Sequence, residues 1–163
     1  MTILVAYASK HGSTEEIAHS IAEQIRAHGF EVNASSIAHV AGVENAEAVI
    51  VGSAIYAGSW MQEATAFVRH HAVELSRRPV WLFSSGPLGE HIQDVEDQPK
   101  QISEFRETLQ TRDHHVFMGA LDPDKLGFAE RMMVKAVKAP AGDYRDWDDV
   151  RAWADQIARD LED

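Results

Sequence analysis

The stretch TILVAYASKHGSTEEIA, residues 2–18, decides the fold of this chain. Its first part, residues 3–7, is a short apolar and partly β-branched run, which is typical of a strand buried on both faces of a parallel sheet. A polar loop, residues 9–14, follows directly and leads into an amphipathic helix. Hydroxyl groups and the unpaired N–H groups of a helix N-terminus together bind phosphate. The stretch therefore predicts a strand, a phosphate-binding loop and a helix.

The hydroxyl groups of this loop have a second interpretation. Ser13 followed by Glu16 forms a capping box, in which Ser13 is the N-cap of the helix and Glu16 bonds back to it. Capping accounts for Ser13 but not for Ser9 or Thr14. The two common phosphate motifs, G-x-x-x-x-G-K-[ST] and G-x-G-x-x-G, are both absent between the strand and the helix.

The composition excludes several classes of function. The chain has 163 residues, with 15 Lys and Arg against 26 Asp and Glu, a net charge of -11, and no cysteine. Disulfides, iron–sulfur clusters and thiol catalysis are therefore excluded, and the acidic excess argues against nucleic-acid binding. No run approaches the roughly 20 apolar residues of a membrane span, and no export signal opens the sequence. We expect a single cytoplasmic domain over residues 1–163.

Apolar runs and helical stripes alternate along the rest of the chain. Further strands are predicted at residues 31–35, 46–52, 79–83 and 115–121, with helices between them. This alternation predicts an α/β fold, a doubly wound parallel sheet of five strands with helices on both faces. The second and fifth strands are the more polar, so we place them at the edges in the order 2-1-3-4-5. Such sheets bind ligands at the carboxyl ends of strands 1 and 3, where the winding reverses.

Residues 122–146 separate the last predicted strand from the C-terminal helix, and we interpret them as an insertion. Within them, residues 127–138 predict a helix that carries Arg131, Lys135 and Lys138 on one face. These cations form either a solvated face or a peripheral contact with anionic lipid at the inner face of the membrane.

Other functions found in proteins with this strand order can be tested at single residues. Phosphorylation-dependent receivers need acidic residues after strand 1 and an aspartate at the end of strand 3. This chain has Ser9 and Ser53 at those places, so it is not a receiver. The adjacent pairs His70-His71 and His114-His115 point in different directions, and H-E-x-x-H is absent, so we predict no metal site. No general base can be assigned.

Resemblances to two groups of known proteins narrow the range of possible functions. The loop after strand 1 resembles the flavodoxin phosphate loop T/S-x-T-G-x-T, where Ser9, Gly12 and Thr14 match and His11 replaces the middle threonine. Nearly the whole chain is similar to the flavodoxin-type, menaquinone-dependent protoporphyrinogen IX dehydrogenases. The segments that carry this second resemblance are GSAIYAG at 52–58, GALDP at 119–123, FAERMMVKAVK at 128–138 and DWDDVRAWADQIA at 146–158.

The resemblance implies one noncovalently bound FMN, with its phosphate on the first loop and its ring between residues 53–60 and 84–90. For Tyr56 and Trp60, packing in the core is the alternative to contact with the ring. The implied FMN-binding residues are Ser9, Lys10, His11, Gly12, Ser13, Thr14, Ser53, Ala54, Ile55, Tyr56, Ala57, Gly58, Ser84, Ser85, Gly86, Pro87, Leu88 and Gly89.

Two functions are consistent with this resemblance. An enzyme of the family would oxidise protoporphyrinogen IX in haem biosynthesis and reduce a quinone. An electron carrier would have no organic substrate and would dock on a redox partner protein through its acidic surface. The insertion favours the enzyme and the charge of -11 suits the carrier, so both functions stay open.

Overall fold

A parallel sheet forms the centre of the structure, which is a computed structural model. It describes residues 1–10, 12–56, 58–86, 99, 101–121, 142–143 and 145–163. The strands are β1 (Thr2–Ala8), β2 (Glu31–Ser36), β3 (Ala48–Tyr56), β4 (Ser59–Trp60), β5 (Val80–Ser85), β6 (Asp113–Phe117), β7 (Ala120–Leu121) and β8 (Gly142–Asp143). The helices are α1 (Ser13–Arg26), α2 (Gln62–His70), α3 (Ala72–Leu75), α4 (Gln101–Leu109) and α5 (Trp147–Glu162), with a 3-10 helix at Ile37–His39.

The strand order is β2-β1-β3-β5-β6, and all of these strands are parallel. This order confirms the predicted arrangement of five strands with the second and fifth at the edges. The short strand β4 is added as an antiparallel partner of β3. β7 and β8 form a separate two-stranded antiparallel sheet.

Alternating side chains of the sheet divide the core into two layers. On β1, Ile3 and Val5 face the layer formed with α1 and α5, whereas Ala6 and Ala8 face the layer formed with α2 and α4. All four side chains are at most 4% exposed. Burial on both faces explains why β1 is a nearly continuous apolar run and why the sequence signals it so clearly.

Three predicted boundaries are wrong. β3 does not end at Gly52 but continues to Tyr56, because its last residues pair with β4. The predicted strand at 115–121 is interrupted, since β6 ends at Phe117 and β7 belongs to another sheet. The single helix predicted after β4 is divided at His71, which lies between α2 and α3.

Most of the predicted insertion at 122–146 lies between two paired strands. Leu121 pairs with Gly142, and Ala120 pairs with Asp143, so β7 and β8 flank residues 122–141. The predicted basic helix at 127–138 lies outside the described residues, so the membrane contact through Arg131, Lys135 and Lys138 stays a prediction. None of the described helices is long and apolar enough to cross a bilayer.

Candidate functional site

Three chain segments meet at the carboxyl edge of the sheet. β1 pairs with β2 on one side and with β3 on the other, so the winding reverses between β1 and β3. At this edge Ala8 pairs with Ser53, and Ala54 pairs with Ser85. The segments that follow β1, β3 and β5 therefore start side by side at the switch point.

The loop after β1 turns sharply into α1. Gly12 is the N-cap residue, and its φ of 91° lies in the left-handed region that glycine adopts without strain. Its amide donates a hydrogen bond to Ser9 Oγ at 3.1 Å, which closes the loop. Its carbonyl accepts the bond from the amide of Glu16 at 3.1 Å. The amides between these two residues precede the first intrahelical bond and are directed towards the end of the helix.

Ser13 does not have the role that the capping box predicts. The N-cap is Gly12, no side chain caps the helix, and Glu16 bonds instead to Arg145 at 3.0 Å. The Oγ atom of Ser13 is buried and has no hydrogen-bond partner among the described residues. A buried hydroxyl without a partner costs about 1–3 kcal/mol, so this atom marks a place for a polar ligand.

Two carboxylates of the first helical turn have their own partners. The Tyr7 hydroxyl donates to Glu15 Oε1 at 3.0 Å, and burial followed by this hydrogen bond raises the pKa of Tyr7 to about 12. The phenol is therefore neutral at physiological pH. Glu16 is paired with the guanidinium of Arg145. The contact of Arg145 with Glu16 could not be predicted, because nothing near Arg145 in the sequence indicates a partner 129 residues away.

The segment after Gly52 is a hairpin and not the predicted open loop. Ile55 pairs with Trp60, and Tyr56 pairs with Ser59. Gly58 has a φ of 76°, which suits the tight turn between the two strands. Ala54 and Ile55 are partly exposed near the edge of the sheet, so they remain candidates for contact with a ligand.

Two of the predicted site hydroxyls are engaged inside the protein. Ser53 is fully buried, and its Oγ donates to the carbonyl of Ala54 at 2.8 Å and accepts from the amide of Met61 at 3.0 Å. Ser84 is also fully buried, and its Oγ accepts from Trp60 Nε1 at 2.8 Å. We therefore expect no direct ligand contact from either hydroxyl. Trp60 is only 3% exposed and packs in the core, as its alternative interpretation predicted.

The bond between Trp60 and Ser84 continues to a histidine on β6. Ser84 Oγ lies 2.7 Å from His114 Nε2. This distance is that of a hydrogen bond between the hydroxyl and the imidazole. Burial, followed by the charge of Arg106, lowers the pKa of His114 to about 4. A neutral hydrogen-bonded chain thus fixes the β3–β4 hairpin to β5 and β6.

Replacing Ser84 with alanine is expected to lower the free energy of unfolding by about 2–4 kcal/mol, because Trp60 Nε1 and His114 Nε2 both lose their hydrogen-bond partner. Urea denaturation followed by circular dichroism measures the change. Ser76→Ala is the control, since its exposed hydroxyl only bonds locally to Val73, and a change below about 0.5 kcal/mol is expected there. Equal stability of Ser84→Ala and wild type would contradict the role of the chain.

The third segment begins with close backbone packing. The amide of Gly86 donates to the carbonyl of Phe117 at 2.9 Å. A Cβ atom on Gly119 would lie 3.1 Å from Gly86 Cα, so the glycine lets the two segments approach. Ser85, only 4% exposed, lies beside them at the end of β5.

The remaining predicted site residues divide into two groups. Thr14 is buried at 1% exposure in the first turn of α1, and Lys10 is exposed on the loop. The predicted contacts of His11, Ala57, Pro87, Leu88 and Gly89 lie outside the described residues. Within the described ranges, no group of three or more His, Asp or Glu side chains could hold a metal ion.

Comparison with known proteins identifies the family. The model of the Flavodoxin domain family matches residues 4–148. The chain belongs to this family. It is 24% identical over 172 residues to protoporphyrinogen IX dehydrogenase [quinone] of Escherichia coli K12, an alignment that covers 97% of this chain and 95% of the relative. The resemblance noted in the sequence is thereby confirmed.

Solved structures support the fold of this flavodoxin-domain chain. An archaeal flavodoxin matches with a TM-score of 0.70 and 15% identity, covering both chains completely. A mutant of the flavodoxin from Pseudomonas aeruginosa matches with a TM-score of 0.64 and 14% identity, again over both complete chains. Rubredoxin oxygen:oxidoreductase of Desulfovibrio gigas matches with a TM-score of 0.68 and 18% identity, over 99% of this chain and 36% of its own.

Family membership indicates that the cofactor is FMN. The described residues fit its phosphate, because the buried hydroxyl of Ser13 lacks a partner and the first-turn amides of α1 precede any intrahelical bond. The chain is therefore an FMN-binding protein.

Proposed function

We propose that this flavodoxin-domain protein is an FMN-dependent oxidoreductase that oxidises protoporphyrinogen IX and reduces a quinone. The observation that carries the proposal is the 24% identity to protoporphyrinogen IX dehydrogenase [quinone], which extends over 97% of the chain. The similarity therefore includes residues 122–141, the segment between β7 and β8.

In this proposal the first loop holds the cofactor by its phosphate. Ser9, Lys10, His11 and Gly12 form the loop, and Ser13 and Thr14 add the hydroxyls of the first helical turn. The ring lies between the β3–β4 hairpin and the segment that begins at Ser85. Bound FMN supplies two-electron redox chemistry at its ring, and the protein positions it and limits the access of water.

The electron balance of the proposed reaction is simple. Each step removes two hydrogen atoms, as two electrons and two protons, from the porphyrinogen. The same two electrons and two protons convert one quinone to one quinol. Repeated steps convert protoporphyrinogen to protoporphyrin. We assign no proton transfer to a side chain.

The alternative function is that of an electron carrier. The net charge of -11 favours it, because an acidic surface suits transient docking on a cationic redox partner. Such a carrier would exchange electrons with a protein and would not oxidise a porphyrinogen itself.

An anaerobic assay separates the two functions. The protein, loaded with FMN, is mixed with protoporphyrinogen IX and a water-soluble menaquinone analogue, and porphyrin absorbance is followed. The enzyme is expected to form porphyrin at least about tenfold faster than the same concentration of free FMN, which corresponds to about 1.4 kcal/mol of barrier. A rate equal to that of free FMN would contradict the proposed oxidation and leave the carrier. Protein that remains colourless after incubation with excess FMN would contradict both.

A further inference from the structure

Arg145 lies at the base of the segment that separates β7 from α5. Its side chain is only 10% exposed. Nε and Nη2 donate to the two carboxylate oxygens of Asp143 at 2.9 and 2.6 Å, and the guanidinium lies 4.8 Å from the centre of the Trp147 ring. This forked contact holds the pKa of Asp143 below its ordinary value. The guanidinium is thus held in place by two residues close to it in the sequence, Asp143 and Trp147.

The same guanidinium reaches across to α1. Its Nη1 donates to Glu16 Oε2 at 3.0 Å. Glu16 belongs to the first turn of α1, where Ser13 presents its unpartnered hydroxyl. A carboxylate stabilises an empty helix N-terminus, but it repels a phosphate dianion that binds at the same end.

The two acidic residues of this turn, Glu15 and Glu16, have partners of different charge. Glu15 is bonded to the neutral phenol of Tyr7, which leaves its negative charge uncompensated by that contact. Glu16 is bonded to a cation. Because the arginine is largely shielded from water, its charge is screened less than that of an exposed side chain.

We propose that Arg145 is a positioning residue for the phosphate of FMN, acting through Glu16. The ion pair cancels the charge of Glu16 and holds its carboxylate to the side of the helix end, so that the phosphate meets less repulsion. This inference rests on FMN binding as part of the proposed function. In this inference Arg145, which lies far along the chain from the phosphate loop, contributes to the affinity for FMN.

The test is a charge cycle on the apoprotein, with dissociation constants of FMN and riboflavin measured by flavin fluorescence. Arg145→Gln is expected to weaken FMN binding about tenfold and to change riboflavin binding less than about twofold, because riboflavin lacks the phosphate. Glu16→Gln is expected to bind FMN at least as tightly as wild type. The double variant is expected to return to within about threefold of wild type, since neither charge is then present.

A matched control removes the same charge elsewhere. Arg69 pairs with Glu104 at 3.0 Å on the exposed surface formed by α2 and α4. Arg69→Gln changes the net charge of the protein by the same amount and is expected to leave the FMN affinity within about twofold of wild type. An equal loss of FMN affinity in this control would overturn the inference.

Three further results would also overturn it. Equal weakening of FMN and riboflavin in Arg145→Gln would show that the arginine only supports the fold. A double variant as weak as Arg145→Gln would show that the guanidinium acts on the phosphate directly and not through Glu16. Unchanged FMN binding in Arg145→Gln would remove this inference alone, whereas wild-type protein that binds no FMN would remove the proposed function with it.

Discussion

Replacing Gly52 with alanine is expected to lower the free energy of unfolding by about 3 kcal/mol or more, because a Cβ atom there overlaps the ring of Phe83. Gly52 on β3 and Phe83 on β5 are paired neighbours in the sheet. The ring cannot move away, since Phe83 is fully buried and packs edge-on against Phe117 and Trp153. Urea denaturation of the apoprotein measures the loss.

A second substitution separates overlap from other effects of this change. In a Phe83→Leu background the ring is gone, and Gly52→Ala is expected to cost at least about 1 kcal/mol less than in wild type. Gly42→Ala is the matched control, because its added Cβ atom would meet only the flexible, exposed side chain of Glu44. There we expect a change within about 0.5 kcal/mol. An equal cost of Gly52→Ala in both backgrounds would contradict the overlap.

Replacing Ser13 with aspartate is expected to raise the dissociation constant of FMN at least about 100-fold, because a carboxylate then lies where the phosphate is proposed to bind. The same carboxylate at the first position of α1 interacts favourably with the helix N-terminus. It is therefore expected to stabilise the apoprotein by about 0.3–1 kcal/mol. Flavin fluorescence titration and urea denaturation together measure these opposite effects.

Two controls define what the result means. Riboflavin binding is expected to change less than about threefold, since the vitamin carries no phosphate. Ala66→Asp adds the same charge on the exposed face of α2 and is expected to leave FMN binding within about twofold of wild type. If Ser13→Asp bound FMN as tightly as wild type, the phosphate could not lie at the N-terminus of α1.

The strand order could be predicted because the composition of each strand reflects how much of it is buried. β1 is apolar at nearly every position, whereas β2 has exposed positions such as Glu31 and Asn33. Central and edge strands differ in this way whenever both faces of a sheet are covered. The switch point between β1 and β3 followed from this order.

The details that were missed depend on contacts between distant segments. Ser13 matched a capping box, but Glu16 of that motif bonds to Arg145, 129 residues away, and Gly12 is the N-cap. The sequence also gives no sign that the hydroxyl of Ser84 bonds to Trp60 and His114, which are 24 and 30 residues away. Periodicity describes the face on which a residue lies, and it carries no information about which partner reaches it.

The pairing of β7 with β8 has a consequence for how such a protein can diverge. Leu121 and Gly142 are direct neighbours, so the chain leaves the sheet region and returns to it at nearly the same place. The β7–β8 pairing closes the loop whatever the identity of the residues between the two strands. The entropic cost of closing the loop changes only slowly with the number of residues enclosed. Insertions, deletions and exchanges between residues 122 and 141 can therefore accumulate without altering the register of the five parallel strands.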